Sequence, residues 1–208
     1  MRRLTLIRHA LTAWNRSGRF QGSSDVPLSD TGREQARRLA PHVGRLASVD
    51  QLVSSPARRA LETAELAFKG RSVVVEPRVK EIDFGVFEGR TIDENTLHAA
   101  WAWWSADPYL RPAPRGESYR ETQLRAVAWL EEARVGWAGA HVVLVSHSGT
   151  IQMLLAYLLG VTRPGYSERL ELAHTSLSSV RFEEDMVVVE RVNAVPHLNE
   201  AEAAVGAA

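Results

Sequence analysis

"LIRHALTAWN", residues 6–15, is an apolar run that ends abruptly in an arginine and a histidine. Residues 3–7 read as a buried strand, which delivers Arg8 and His9 side by side at its carboxyl end, with Trp14 and Asn15 just beyond. Strands must end somewhere and polar residues mark the exit, so the pair means little until other parts of the chain answer it.

Two later stretches do. "QLVSS", residues 51–55, is a short strand running straight into "PARRALETAELAF", residues 56–68. There Ser55 is a natural N-cap, Pro56 suits the first helical position, and Arg58 and Arg59 fall in the first turn. "HVVLVSHSGTIQMLLAYLLG", residues 141–160, reads as a buried strand, a turn carrying Ser146, His147 and Ser148, and a buried helix closed by Gly160. Three strands thus end in residues suited to an anion. Helix N-termini add free N–H groups and partial positive charge, so these parts together could cradle a phosphoryl group without a metal.

The remainder supports an alternation of strands and helices. Thr31 and Glu34 have capping-box spacing ahead of an apolar stripe through Ala36, Leu39, Ala40 and Val43. "SVVVEP" at 72–77 reads as a short strand, and a helix is predicted from about Glu117 to Val135. "TSLSSVRFE" and "MVVVERV" are predicted strands near the end. The pattern predicts an α/β fold, a three-layer sandwich with a mostly parallel central sheet flanked by helices, whose ligands sit beyond the carboxyl ends of strands. Residues 1–198 are expected to form one domain, with 91–116 as a variable lid or insertion segment and 199–208 as a frayed tail. "WAWW" at 101–104 reads first as helix packing and second as an apolar lid.

Composition excludes several classes. With 208 residues, 24% charged and a formal net charge of zero, no basic field points to nucleic acid or a membrane surface. The absence of cysteine removes disulfides, thiolate metal sites and a cysteine nucleophile. No stretch approaches the roughly 20 apolar residues of a membrane span, so a cytoplasmic protein is expected. Neither a His-Glu-x-x-His pattern nor a P-loop is present, and no metal or other cofactor is implied. A homodimer is left open.

Taken in order, "LIRHALTAWN" with "FQG", "SSPARRALETA", "EIDFGVFEG", "RGES", "VSHSGTIQMLL" and the closing "NAVPHL" give a chain that resembles the histidine phosphatase superfamily, of phosphoglycerate-mutase-like fold. The resemblance implies that His9 is the nucleophile that becomes phosphohistidine. It implies that Arg8 and Arg59 hold phosphate oxygens, with Arg58 ranking behind Arg59. It makes His147 the second histidine at the phosphoryl group, and Glu81 the carboxyl that protonates the leaving oxygen and later takes a proton from water. Asn15 would contact phosphate, and Gln21, Gly22 and Ser148 would border the substrate. An unperturbed imidazole is half deprotonated at about pH 6.5, which suits it as a nucleophile, and acid catalysis by Glu81 implies an acid-shifted rate optimum. His42, His98, His141, His174 and His197 are read as structural or exposed.

Four positions depart from the family pattern. Ala10 stands at a family glycine, where a methyl group would crowd a close phosphate. Leu11 replaces a common glutamate, Ser148 a glycine and Gln152 a frequent arginine. The implied activity is a metal-independent, acid-phosphatase-type phosphomonoesterase acting on a small phosphorylated metabolite. The alternatives are a cofactor-dependent phosphoglycerate mutase, which is a phosphotransferase, and a catalytically weak member that binds phosphorylated ligands. Sixty-six positions separate Glu81 from His147, short beside the longer insertion of family mutases, and this favours hydrolysis. Arg115, Arg120 and Arg125 are candidates to read a second anionic group, although exposed arginines explain them equally.

Overall fold

Leu4 and Leu6 pack on one side of a sheet and Ile7 on the other, and all three are sealed from solvent. A strand buried on both faces must lie in the middle of the sheet with helices on either side, which is why its sequence is almost continuously apolar. In this computed structural model, which describes residues 1–46, 48–161, 170–184 and 186–204, that strand is β1 (Arg3–Arg8). It is followed by α1 (Ala13–Arg16), α2 (Asp30–Val43), β2 (Gln51–Ser54), α3 (Arg58–Ala67) and β3 (Val74–Val75). Short 3-10 turns at Pro77–Val79 and Gly85–Phe87 lead to the short helices α4 (Ile92–Thr96) and α5 (Trp101–Ser105). Then come α6 (Tyr119–Gly136), β4 (His141–Ser146), α7 (Ser148–Leu158), β5 (Leu177–Phe182), β6 (Val187–Ala194) and α8 (Glu200–Ala204).

The six strands run in the order β3-β2-β4-β1-β5-β6. Three pairings are parallel, while β5 against β1 and β6 against β5 are antiparallel, so the sheet is mixed. Leu39 and Val43 of α2 and Ala60 and Ala64 of α3 meet Ile7, Val143 and Val145 on one face. Leu130 of α6 and Leu154 and Leu155 of α7 meet Leu4, Leu6, Val142 and Leu144 on the other. Strand register then positions the site. Arg8 pairs with Ser146 and Ser54 with Val145, so β1, β4 and β2 end abreast and release His9, His147 and Ser55 at one edge.

Tertiary contacts altered several local expectations. The cap of α2 is Ser29, whose hydroxyl accepts from the Gly32 N–H at 3.1 Å; Thr31 instead accepts from Arg16 at 2.9 Å. Helix α3 starts at Arg58 with Ala57 at the N-cap, so it has no side-chain cap; the Ser55 hydroxyl, two residues earlier, accepts from the Ala57 N–H at 3.3 Å and lies 2.7 Å from His147 Nε2. The strand expected at 72–77 is reduced to Val74–Val75, which lies at the sheet edge with both residues exposed. Helix α6 starts at Tyr119 because Ser118 and Glu121 form a reciprocal capping box. The tail expected to fray is helical over Glu200–Ala204, and Glu202 pairs with Arg38 on α2; residues 205–208 lie outside the described residues. Among the described residues no helix is long and apolar enough to cross a membrane.

A third apolar cluster lies between α4 and α6, where Ile82, Phe84, Phe87 and Trp104 are buried with Phe20, Trp101 and Tyr119 against them. Packing therefore accounts for "WAWW", although Trp103 stays half exposed under the guanidinium of Arg111. Arg125 is not free to read a ligand. It donates to the carbonyls of Arg78, Lys80 and Glu81 at 2.7–2.9 Å and to the Glu117 carboxylate at 2.9 Å. This clamp fixes the stretch that carries Glu81. Arg125→Met strands those acceptors and is expected to cost about 2–4 kcal/mol, a fall in Tm of roughly 5–15 °C by thermal unfolding. Arg125→Lys restores less than half of it, because an ammonium cannot span the same fork.

Candidate active site

His9 emerges from β1 with its N–H on the Ser146 carbonyl at 2.8 Å, extending the β1–β4 ladder by one bond. Its Nδ1 lies 2.8 Å from the Ala10 carbonyl. A carbonyl can only accept, so the proton belongs on Nδ1 and Nε2 keeps a bare lone pair. Burial lowers the His9 imidazole well below its usual value, and the charges of Arg59, His147, His174 and Arg8 push it the same way. The ring is neutral at physiological pH.

His147 occupies the N-cap position of α7, its ring 5.2 Å from that of His9. Its Nε2 lies 2.7 Å from the Ser55 hydroxyl, while Nδ1 is buried with no hydrogen-bond partner among the described residues. Burial, then Arg59, Arg125 and Arg8, keep this ring well below its usual value too.

Two guanidiniums complete the floor. Arg59 is 1% exposed and donates to the carbonyls of Ser24 and Gly22, both at 2.8 Å. It has no carboxylate within ion-pair distance among the described residues. Burial lowers it, with Glu81, Asp25 and Glu88 opposing from a distance. Arg8 donates to the Leu172 carbonyl and is lowered to about 10 by burial, so it also remains charged near neutrality. Arg58 is exposed, with its backbone N–H on Asp25, whereas Arg59 lines the cleft. Arg59, a buried cation answered by two neutral carbonyls, is costly unless an anion joins it.

The loop carrying those carbonyls is held firmly. Gly22 has φ +51, and a Cβ there would lie 2.1 Å from the Glu88 carboxylate, so only glycine fits. Glu88 in turn accepts from the backbone of Ser23, Ser24 and Phe84. Asn15 closes a capping box on Thr12, its Oδ1 taking the Thr12 N–H at 3.1 Å, which leaves its amide NH₂ for the cleft. Gln21 Oε1 accepts from the Thr12 hydroxyl at 2.9 Å. Opposite, the Glu81 carboxylate accepts from the N–H groups of Gly149 and Thr150 at 3.2 and 3.1 Å, at the start of α7. A Cβ on Gly149 would come within 2.7 Å of that carboxylate and would have to displace it.

These groups surround a cleft of about 280 Å³. Of the nine positions singled out from sequence, eight line it, and His147 lies against His9 at its edge. Ala10 does not: its methyl packs with Leu28 and Ala36 and its N–H donates to Thr63 at 3.0 Å, so no crowding arises there. Leu11 is likewise buried away from the cleft. Gln152 lines the cleft and donates to the Leu170 carbonyl at 2.7 Å.

Sequence reading missed His174 and Tyr119. His174 is fully buried with its ring 5.6 Å from that of His9, and its Nδ1 donates to the His9 carbonyl at 3.2 Å. The next residue, Thr175, has φ +58, a strained value for a β-branched side chain. Its N–H binds the Arg8 carbonyl at 3.0 Å, its hydroxyl donates to the His174 carbonyl, and His197 Nε2 donates to that hydroxyl at 2.7 Å. Asn193 accepts from the Ala173 N–H at 2.7 Å. The closing "NAVPHL" thus braces the segment that holds Arg8 and His9, and this motif was the one signal available.

The sequence profile of the histidine phosphatase superfamily (branch 1) matches residues 4–195. The chain belongs to that superfamily. A relative from Photorhabdus laumondii named probable phosphoglycerate mutase GpmB is 35% identical over 210 residues, covering 96% of each chain. Phosphoserine phosphatase 1 of Hydrogenobacter thermophilus is 34% identical over 206 residues, again covering 96% of each. A crystal structure of a phosphoserine phosphatase mutant from Entamoeba histolytica with phosphoserine superposes with a TM-score of 0.85 at 27% identity, covering 96% of this chain and 100% of that one.

The buried histidines make stability depend on pH. His9, His147 and His174 are held well below 6.5 by burial, and His197 is lowered to about 4. The unfolded chain therefore takes up protons near pH 6.5 that the folded chain refuses, and stability present above that pH is lost as it falls. Tm is expected to drop steadily from about pH 7.5 to 5, with a slope approaching 1.4 kcal/mol per pH unit for each such histidine. The depressed carboxylates Glu76, Glu117 and Glu202 add their loss only below about 4.5. A flat Tm between pH 7.5 and 5 would contradict the neutral histidine cluster.

Proposed function

We propose that the chain is a metal-independent phosphomonoester hydrolase that acts through a phosphohistidine on a small phosphorylated metabolite. The observation that carries this reading is the bare Nε2 of His9, facing a cleft floored by Arg8 and Arg59. The ester's phosphoryl group sits against both guanidiniums and answers the charge of Arg59, with the Asn15 amide as a further donor. His9 Nε2 attacks phosphorus, the bond to the alcohol oxygen breaks, and Glu81 supplies that oxygen with a proton. Water then attacks phosphorus, Glu81 takes its proton, the N–P bond breaks and inorganic phosphate leaves. His147 donates to the phosphoryl oxygens as charge spreads over them in a loose transition state. The fixed donors supply most of the help, and the acid contributes about 10²–10⁴-fold.

The mutase reading is favoured by the name probable phosphoglycerate mutase, which the Photorhabdus relative shares with others from Enterobacter and Escherichia coli. Against it, the described chain between Glu81 and the start of α6 adds only two helices of five residues each, α4 and α5. Steady-state turnover of phosphate esters in EDTA is expected, with kcat falling by about 10³-fold or more for His9→Ala. Glu81→Gln should slow alkyl esters by about 10²–10⁴-fold and esters of acidic phenols much less, because a good leaving group needs no proton. Interconversion of 3- and 2-phosphoglycerate that depends on the bisphosphate and outpaces phosphate release would establish the mutase instead. No turnover of any ester by intact protein would leave a phospho-ligand binder.

A further inference from the structure

The carbonyl that holds the His9 ring proton is itself placed by side chains that do not line the cleft. Two successive peptide groups follow His9, and every polar atom of both has a partner. The His9 carbonyl accepts from His174 Nδ1 at 3.2 Å, and the Ala10 N–H donates to the Thr63 hydroxyl at 3.0 Å. The Ala10 carbonyl faces His9 Nδ1 at 2.8 Å, and the Leu11 N–H donates to Gln35 Oε1 at 3.1 Å. His174, Thr63 and Gln35 are all sealed from solvent, so water does not compete for these bonds. A peptide group is planar, so gripping the His9 carbonyl and the Ala10 N–H together fixes the turn of the first plane. The bond to Gln35 fixes the second plane, and with it the direction of the Ala10 carbonyl.

His174 makes a further contact, with the nucleophile's own ring. The two rings stand 5.6 Å apart and are tilted by 50°, so His9 has an imidazole neighbour besides His147. Burial and the charge of Arg8 keep His174 neutral, with one ring proton, and its carbonyl partner requires that proton on Nδ1. A neutral donor suits the place. An ammonium would set another positive charge beside an imidazole that has to stay uncharged, and a phenyl ring would leave the His9 carbonyl unpaired.

The chain holds His174 there against local preference. Thr175 takes φ +58, a strained value for its branched side chain, with its N–H on the Arg8 carbonyl and its hydroxyl on the His174 carbonyl. His197 secures that hydroxyl from the far side. Strain of this kind persists only where the surroundings impose it, and here they impose it on the residue that follows His174.

We infer, resting on the hydrolase reading, that His174 is a positioning residue for the nucleophile: by gripping the His9 carbonyl it sets the peptide frame that keeps the His9 ring proton on Nδ1 and leaves Nε2 for phosphorus.

The test joins ¹⁵N NMR of the unliganded protein to kinetics with 4-nitrophenyl phosphate. In the unsubstituted protein His174 and His9 are each expected as a single tautomer, protonated on Nδ1. In His174→Asn the side-chain amide falls near the place of Nδ1 and keeps the bond; in His174→Gln it falls near Nε2 and misses the carbonyl. The Gln variant is expected to show His9 as a mixture of tautomers and to lose about 10–100-fold in kcat, with KM changed by no more than about threefold. The Asn variant should restore the single tautomer and bring kcat to within severalfold of the unsubstituted protein. A purely structural role would lower Tm in both variants and separate neither tautomer nor kcat between them. His174 protonated on Nε2 in the unsubstituted protein overturns the inference without any variant, because Nδ1 would then have no proton to donate. Asn and Gln variants that share one His9 tautomer and one kcat overturn it as well. If no ester turns over, the hydrolase reading falls, while the His9 tautomers in the two variants still decide the role of His174.

Discussion

Parallel pairing that sets Arg8 abreast of Ser146 decides where every reacting group stands. A slip of one residue would turn Leu4, Leu6 and Ile7 to the wrong faces, and both faces are packed with helices, so the register has no alternative. One bond past the ladder, the His9 N–H takes the Ser146 carbonyl, and one residue further His147 opens α7. The two imidazoles are neighbours because two buried strands stop at the same level. Precision at the site is inherited from core packing, not from the loops around it.

Electrostatics then divides the groups into two kinds. Burial keeps His9 and His147 neutral, and the nearby guanidiniums reinforce this by disfavouring further positive charge. The same burial lowers Arg8 only to about 10, which leaves it charged near neutral pH. In the proposed chemistry, a neutral nucleophile beside fixed cations is the combination that a dianionic phosphoryl group requires, since the cations attract it and the uncharged imidazole can still attack. Folding tolerates the cost by tying the guanidiniums to backbone carbonyls of Leu172, Gly22 and Ser24. The strained Thr175, braced by His197, is a further sign that this edge is held against its own preferences.

Much of this was legible in the residue order. Apolar runs ending in Arg-His and Ser-His-Ser, and a strand running into a helix with Arg59 in its first turn, signal both the layered sheet and the cleft where these residues gather. Local rules failed where a tertiary partner outbid them. Ser55 has the chemistry of an N-cap, but the helix starts later, at Arg58, and its hydroxyl meets His147; Thr31 has capping-box spacing, but Ser29 reaches the helix first. Arg125 looks like a surface cation and is a clamp on four acceptors, one of them the Glu81 carbonyl. Ala10 raised a concern that only the direction of its methyl could answer. His174 was signalled only indirectly, by the closing "NAVPHL", because it reaches the site through the antiparallel pairing of β5 with β1, a contact 165 residues distant in sequence.

Everything in the proposed chemistry depends on which ring nitrogen of His9 is bare. With Nδ1 committed to the Ala10 carbonyl, the phosphoryl group can be accepted only at Nε2. The most direct measurement is ³¹P and ¹⁵N NMR on the protein phosphorylated by an ester that outruns the hydrolysis step. The account predicts a single phosphoramidate, bonded to Nε2 of His9 and absent from His147. Phosphate attached to Nδ1, or carried by His147 with His9 unmodified, would contradict it.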